Sequence, residues 1–87
     1  MSATRKALAA LLGATRASAL EAIGHGCTTS ELADQLGVSP PTASYHVAVL
    51  RDAGLVITRR RGSTVLHTAS LLGTALLNGD RRPRKSG

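Results

Sequence analysis

Residues 36–56 of the chain read LGVSPPTASYHVAVLRDAGLV, and this stretch decides the predicted fold. Gly37 follows an apolar-periodic run and is a candidate left-handed residue at the end of a helix. Ser39 is a good helix N-cap, and the prolines after it fall in a first turn, whose amides have no helical partner. Gly54 ends the run that follows. The stretch therefore predicts two helices, over residues 29–36 and 40–53, joined by a tight turn.

The flanking segments supply the other predicted elements. Thr28 and Glu31 have the spacing of a capping box at the start of the 29–36 helix, and Thr15 is a candidate N-cap upstream. Gly62-Ser63 lies between two β-rich runs, which is a strong two-residue hairpin signal. Ser70 can cap a last short helix. The predicted elements are helices over 2–12, 15–24, 29–36 and 40–53, a hairpin over 55–69 and a short helix over 70–78.

This order of elements is the layout of a winged helix-turn-helix, a DNA-binding fold. The 87 residues fit one domain, and the core must be aliphatic because the chain has no Phe or Trp. We predict a mainly α fold with a small β-hairpin, in one domain over residues 1–79. The charged, apolar-poor residues 80–87 are predicted to form a disordered basic tail.

The charge of the chain suits a polyanionic partner. Net charge is +6, and the excess lies in Arg5-Lys6, in residues 59–61 and in the tail over 81–85. Cys27 is the only cysteine, so no internal disulfide forms and a reducing compartment is expected. No stretch is long and apolar enough to span a bilayer. We therefore predict a cytoplasmic protein whose partner is double-stranded DNA rather than a membrane.

The helix over 40–53 is the predicted DNA-reading element, because its helical wheel separates an apolar face from a polar one. Ala43, Val47 and Leu50 fall on the apolar face. The outward face carries small and polar residues that can approach base edges or phosphates. The candidate contacts are Ser39, Pro41, Thr42, Ser44, Tyr45 and His46. Two alternatives stay open: the Tyr45 ring can fold over its own helix, and His46 can serve packing instead of a phosphate.

The arginine triplet before the hairpin turn is the predicted wing contact. Arg59, Arg60, Arg61 and Ser63 can reach phosphates around a tight turn, which gives affinity and salt dependence rather than sequence choice. A solvated edge that resists strand aggregation is the alternative. Arg16 at a helix start, and Arg81 and Arg82 in the tail, are further candidate backbone contacts.

The stretch 36–56 resembles the recognition region of ArsR-type bacterial regulators, most specifically in residues 42–47 and 50–56. The resemblance extends over about residues 12–77. It implies that residues 39–46 face the operator and that residues 59–63 form the wing. It also implies a homodimeric repressor that pairs through its terminal helices, here 2–12 and 70–78.

Metal-sensing members of that family carry a Cys-containing box near the recognition helix or paired Asp and His ligands in the last helix. Residues 29–53 lack Cys, and the predicted last helix lacks His and Glu. His25-Gly26-Cys27 offers two soft ligands, whereas tetrahedral zinc needs three or four. Cys27 as a redox sensor would lack a resolving cysteine within the chain. We therefore expect no metal and no cofactor.

Enzymatic function has no support, because neither a catalytic triad spacing nor a phosphate-binding glycine loop is present. The sequence predicts a sequence-specific transcription regulator, a repressor, that reads the major groove with residues 40–53 and holds the backbone with residues 59–63. Two alternatives remain. One is a winged-helix module that binds a protein through the same outward face, and the other is a regulator that senses an effector at a dimer interface.

Overall fold

The computed structural model of the chain describes residues 3–24 and 26–78. Within these residues the elements are α1 (Ala3–Leu12), α2 (Ala14–Ile23), α3 (Thr29–Leu36), α4 (Pro40–Asp52), β1 (Val56–Arg61), β2 (Thr64–Ala69) and α5 (Leu71–Leu77). The order and type of the predicted elements are confirmed. The predicted helix start at Ser2 and the predicted tail over 80–87 lie outside the described residues.

The tight turn between α3 and α4 forms as its sequence predicts. The Thr28 hydroxyl accepts from the Glu31 amide at 3.1 Å, and the Glu31 carboxylate accepts from the Thr28 amide at 2.9 Å, so the capping box is present. Gly37 adopts the left-handed conformation, with φ 69° and ψ 34°. Ser39 then caps α4 by accepting from the Thr42 amide at 3.3 Å. Local side-chain chemistry therefore sets both ends of the turn.

The start of α2 corrects the prediction. Thr15 was expected to be the N-cap, but that position belongs to Gly13, which makes no side-chain cap bond. Gly13 has a φ of 89°, so a single glycine turns the chain between α1 and α2 and leaves Thr15 inside the first helical turn.

The other boundaries match the predicted ones or differ from them by a single residue. Gly24 and Ala53 are the residues that cap the C-terminal ends of α2 and α4, β1 begins at Val56, and Ser70 and Asn78 flank α5 as its caps. Differences of this size are usual at fraying element ends.

The core is aliphatic and lies between α2, α3, α4 and the base of the hairpin. Its largest fully buried side chains are Leu20, Ile23, Leu32 and Leu50. Buried alanines on α2, α3 and α4 let these helices approach one another closely. The predicted inward face of α4 is confirmed, since Ala43, Val47 and Leu50 are all buried. None of the described helices is long and apolar enough to cross a membrane.

The hairpin is a two-residue turn, as predicted. β1 pairs with β2 in antiparallel register from Val56↔Ala69 to Arg61↔Thr64, which leaves Gly62 and Ser63 at the turn. Gly62 has a φ of 61°, and no non-glycine residue in the described part of the chain has a positive φ. A positive φ at the first central residue alone is the pattern of a type II′ turn, whose twist matches that of the strands. The base of the hairpin is buried at Val56, and its tip extends into solvent.

Gly73 is buried where α5 crosses the turn that follows α4. The Ser70 amide donates to the Leu55 carbonyl at 2.9 Å, and the Ser70 hydroxyl donates to the Gly54 carbonyl at 2.6 Å. A methyl group at Gly73 would collide with the same Leu55 carbonyl oxygen. The close approach of α5 to the backbone therefore requires glycine at this position.

We expect Gly73→Ala to destabilise the protein, although alanine is the better helix former. Overpacking costs about 1–3 kcal/mol, whereas the gain in helix propensity is about 1 kcal/mol. Urea denaturation of the wild type, Gly73→Ala and the exposed control Thr74→Ala measures the difference in the free energy of unfolding. A Gly73→Ala protein as stable as the wild type or more stable would contradict the packing described.

Candidate nucleic-acid interface

The outward face of α4 is open to solvent along its first two turns. Pro41, Thr42, Ser44 and Tyr45 are all exposed, and 60% of the Tyr45 surface is accessible. Because the buried side chains of α4 occupy the opposite face, this side can approach a groove without disturbing the core. The predicted contact residues of α4 therefore lie together on one accessible surface, apart from His46, which is half-buried.

The N-terminus of α4 presents two hydroxyl groups in a defined arrangement. The Ser39 hydroxyl donates to the Thr42 Oγ1 atom at 3.0 Å while it accepts from the Thr42 amide. The Thr42 oxygen is therefore used as an acceptor, and its own hydrogen is left to donate outward. Since a helix N-terminus also favours negative charge, this end of α4 is suited to a phosphate or a base-edge acceptor.

Arg16 of α2 joins Tyr45 and His46 of α4 in one cluster. The Arg16 guanidinium carbon lies 6.0 Å from the centre of the Tyr45 ring, at the outer limit of a cation–π contact. The Tyr45 and His46 ring centres are 5.9 Å apart. The Arg16 Nε and His46 Nδ1 atoms are buried without a hydrogen-bond partner among the described residues. The cluster thus places a cation and two unused polar atoms beside the exposed face of α4.

His46 is held in its neutral form by its surroundings. Burial, and then the positive charge of Arg16, lower the pKa of His46 below its ordinary value. Acidification would therefore add positive charge to this cluster, and a nearby phosphate would favour the charged form. The alternative in which the Tyr45 ring folds over its own helix is also modified. The ring is exposed and lies beside Arg16, a cation from α2.

The hairpin holds the second group of predicted contacts. Arg59, Arg60, Arg61 and Ser63 are all exposed. Side chains alternate between faces along a strand, so Arg59 and Arg61 share one face of β1 and Arg60 lies on the other. These residues lie on the hairpin, whereas Arg16, Tyr45 and His46 lie on helices α2 and α4. Arg81 and Arg82 lie outside the described residues.

His67 is the feature that sequence reasoning missed. It is 4% exposed, and both ring nitrogens have hydroxyl partners: Thr29 Oγ1 lies 2.8 Å from Nε2, and Thr58 Oγ1 lies 2.9 Å from Nδ1. Arg51 Nη1 donates to the same Thr58 hydroxyl at 3.3 Å. The usable signal in the sequence was the hairpin register, which places His67 opposite Thr58.

Cys27 lies beside His67 and is buried. The backbones of the two residues exchange hydrogen bonds of 3.0 and 2.8 Å. Burial, and then the Glu31 carboxylate, raise the pKa of the Cys27 thiol, so the reactive thiolate is disfavoured. Among residues 3–24 and 26–78 no group of three His, Cys, Asp or Glu side chains is placed to hold a metal ion. His25 lies outside the described residues.

A helix-turn-helix with an exposed second helix, followed by a basic β-hairpin, defines a winged helix-turn-helix protein. Comparison with known proteins agrees with this class. A family model described as a helix-turn-helix domain matches residues 2–59. The structure superposes on that of a "possible transcriptional regulator for arsenical resistance" with a TM-score of 0.67 and 26% identity, over 92% of this chain and 82% of the other.

Two curated relatives come from Mycobacterium tuberculosis. The HTH-type transcriptional regulator KmtR is 36% identical in an alignment over 77 residues that covers 80% of this chain and 59% of KmtR. The HTH-type transcriptional regulator Rv2034 is 37% identical over 76 residues, which are 86% of this chain and 71% of that protein. The chain thus spans less than two thirds of the length of KmtR.

The chain belongs to the helix-turn-helix domain family and is an ArsR-type winged helix-turn-helix protein. The resemblance noted in residues 36–56 is therefore confirmed. The matched proteins are regulators and not enzymes, in agreement with the expectation drawn from the sequence.

Proposed function

We propose that this protein regulates transcription by binding duplex DNA, with α4 in the major groove and the β1–β2 hairpin on the phosphate backbone. The observation that carries the proposal is the exposed face of α4, which combines oriented hydroxyls at its N-terminus with Tyr45 and an adjacent cation. Small and polar side chains at the start of a recognition helix can lie within hydrogen-bond distance of base edges.

The two groups of residues have different roles in this proposal. The side chains of α4 discriminate between sequences, and the arginines position the protein on the duplex whatever its sequence. The base-reading group is Ser39, Pro41, Thr42, Ser44, Tyr45 and His46. The backbone group is Arg16, Arg59, Arg60, Arg61 and Ser63, with Arg81 and Arg82 as additional contacts from the tail.

Selection of genomic DNA fragments by the purified protein, followed by footprinting, tests the proposal. Enrichment of a shared sequence with a defined protected region is the expected result. The observed affinity should also fall steeply as salt rises, because phosphate contacts release counterions. Fragments recovered without any shared sequence, or binding that is indifferent to salt, would contradict a sequence-specific regulator.

The terminal helices support a homodimer as part of the same proposal. Leu71 and Leu72 of α5 are 91% and 54% exposed, and Leu11 of α1 is 75% exposed. α1 and α5 contact each other, so these leucines belong to neighbouring helices. Exposed large apolar side chains on adjacent helices are typical of a surface covered by a partner, here a second copy bound to a two-fold symmetric DNA site.

We expect Leu71→Glu to shift the protein from dimer to monomer in sedimentation experiments, because a carboxylate would be desolvated at the interface. Gln35→Glu, at an exposed position of α3 outside the proposed interface, is the control for added negative charge. A wild type that sediments as a monomer at every concentration tested would contradict the dimer.

Repression, a cytoplasmic location and control by an effector complete the proposal. Repression would follow from occupation of the DNA site, and a reporter gene placed behind a selected fragment would measure it. The protein-binding alternative has less support, because Ala48 and Val49, which would give α4 an apolar contact surface, are half-buried rather than exposed.

A further inference from the structure

The hydrogen bonds around His67 join three elements of the DNA-binding fold. Thr29 lies at the start of α3, Thr58 lies in β1 of the wing, and Arg51 lies in the last turn of α4. His67 itself is in β2 and also pairs through its backbone with Cys27. One buried side chain therefore connects both strands of the hairpin to the two helices of the helix-turn-helix.

The donors and acceptors of this network fit together with the neutral ring. Arg51 has only donors, so the Thr58 oxygen accepts from it and the single Thr58 hydrogen is available for Nδ1 of His67. When Thr58 donates to Nδ1, the hydrogen of the neutral ring resides on Nε2 and is donated to Thr29 Oγ1. Each bond in the series from Arg51 to Thr29 thus has one donor and one acceptor.

A protonated ring cannot keep this arrangement. Imidazolium carries a hydrogen on both nitrogens, so Nδ1 no longer accepts from Thr58. The Thr58 oxygen would then face two cationic donors, Arg51 and His67, in a part-buried site. The Thr58 hydrogen must turn away from Nδ1, and the Arg51 and His67 charges lie close to the same oxygen, which weakens the link between β1, β2 and the end of α4.

We infer that His67 is a positioning residue for DNA binding, which in its neutral form fixes the wing against α3 and α4 and on protonation releases it. The inference rests on the proposed function, since it concerns how the hairpin is held for contact with phosphate. His67 touches no DNA in this account; it acts through the orientation of the hairpin that carries residues 59–61.

The electrostatic surroundings favour the neutral form. Burial, and then the Arg51 charge, lower the pKa of His67 below its ordinary value of 6.5. A depressed pKa in the folded protein means that the unfolded chain binds the proton more readily. The contribution of the network is therefore complete above about pH 6.5 and is lost as the pH falls below that value.

Other ionisable groups on the elements around His67 have different neighbours. The Glu31 carboxylate accepts from the Thr28 amide and acts on the Cys27 thiol, which stays protonated. Glu21 on α2 and Asp34 on α3 are exposed, and helix α5, Leu71–Leu77, contains no ionisable side chain. The exposed arginines of β1 follow Thr58 toward the hairpin tip. Arg51 is thus the charged group that contacts the network directly.

The inference is tested by titration of a DNA duplex of about 30 base pairs. The duplex is taken from a selected fragment and is long enough for two half-sites one helical turn apart. All variants are made in a His46→Gln background, because protonation of His46 would strengthen DNA binding and oppose the effect of His67. From about pH 7.5 to pH 5, affinity should fall about tenfold with His67 present and less than about twofold with His67→Gln, which cannot titrate.

Thr58→Val supplies a second test that does not depend on folding of the His67 variant. It removes one hydroxyl of the network and should lower affinity about fivefold at pH 7.5. Thr68→Val is the matched control, because Thr68 is also half-buried in the hairpin and its hydroxyl takes no part in the network. Amide hydrogen exchange should show lower protection of β1 and β2 in Thr58→Val than in Thr68→Val.

The outcomes separate this inference from the proposed function. Absence of DNA binding at pH 7.5 would overturn the proposed function and the positioning role together, while exchange protection would still report whether the network holds the hairpin. DNA binding with the same pH profile in His67→Gln as in its parent would overturn the role of His67 alone. So would equal hairpin protection in Thr58→Val and Thr68→Val.

Discussion

Replacement of Arg59, Arg60 and Arg61 by alanine is expected to lower the affinity for any DNA duplex by about a hundredfold at physiological salt. Each neutralised phosphate adds about 0.9 to the magnitude of the slope of log affinity against log salt concentration. At about 0.15 M salt, this corresponds to about fivefold in affinity for each contact. The three side chains are exposed at the hairpin tip, so their truncation should leave the fold intact. Fluorescence anisotropy at several salt concentrations measures both quantities.

A comparison of single variants distinguishes a wing contact from a general effect of charge. Arg60→Ala and Lys6→Ala each remove one positive charge, and both side chains are exposed, but Lys6 lies on α1 outside the proposed interface. Arg60→Ala should lower the salt slope by about 1, whereas Lys6→Ala should leave it nearly unchanged. Equal effects of the two variants would mean that the hairpin is a solvated edge and that net charge alone drives binding.

Tyr45→Ala is expected to reduce selectivity for a selected site over random DNA by about tenfold to a hundredfold. A specific contact to a base contributes about 1–3 kcal/mol of discrimination. Tyr45 is the only aromatic residue of the chain, and it is exposed on the face of α4 beside Arg16. Competition titrations with selected and random duplexes measure the ratio of the two affinities.

Two further variants locate the source of the Tyr45 effect. Tyr45→Phe keeps the ring beside Arg16 and removes only the hydroxyl. If Tyr45→Phe loses less selectivity than Tyr45→Ala, the difference between the two variants is the contribution of the ring. Gln35→Ala changes an exposed side chain of α3 and should leave selectivity unchanged. If Tyr45→Ala weakens selected and random DNA equally, Tyr45 contacts phosphate and does not read bases.

The parts of the fold that local chemistry determines could be predicted from the sequence. The capping box at Thr28 and Glu31, the left-handed Gly37, the Ser39 cap and the Gly62-Ser63 turn each depend on residues within a few positions of one another. The prediction of Thr15 as an N-cap was wrong because it relied on a local signal alone. A threonine before an apolar run is a good cap in isolation, but α2 begins one residue earlier, directly after Gly13 with its positive φ.

Only the part of the candidate nucleic-acid interface that lies on a single helix could be predicted from the sequence. The outward face of α4 follows from its helical period, so the exposed positions of Thr42, Ser44 and Tyr45 could be inferred. The Arg16 cluster joins α2 to α4, and the His67 network joins α3, α4 and both strands. Contacts between elements so distant in the chain depend on how the elements pack, which periodicity does not determine.

Methylation interference on a selected fragment tests the groove assignment of α4 most directly. Methylation of guanine N7 blocks an acceptor in the major groove, and methylation of adenine N3 blocks one in the minor groove. We predict that N7-methylated guanines within each half-site prevent binding and that N3-methylated adenines within the same half-sites are tolerated. Binding that survives N7 methylation throughout the footprint, and is lost on N3 methylation, would contradict an α4 that reads the major groove.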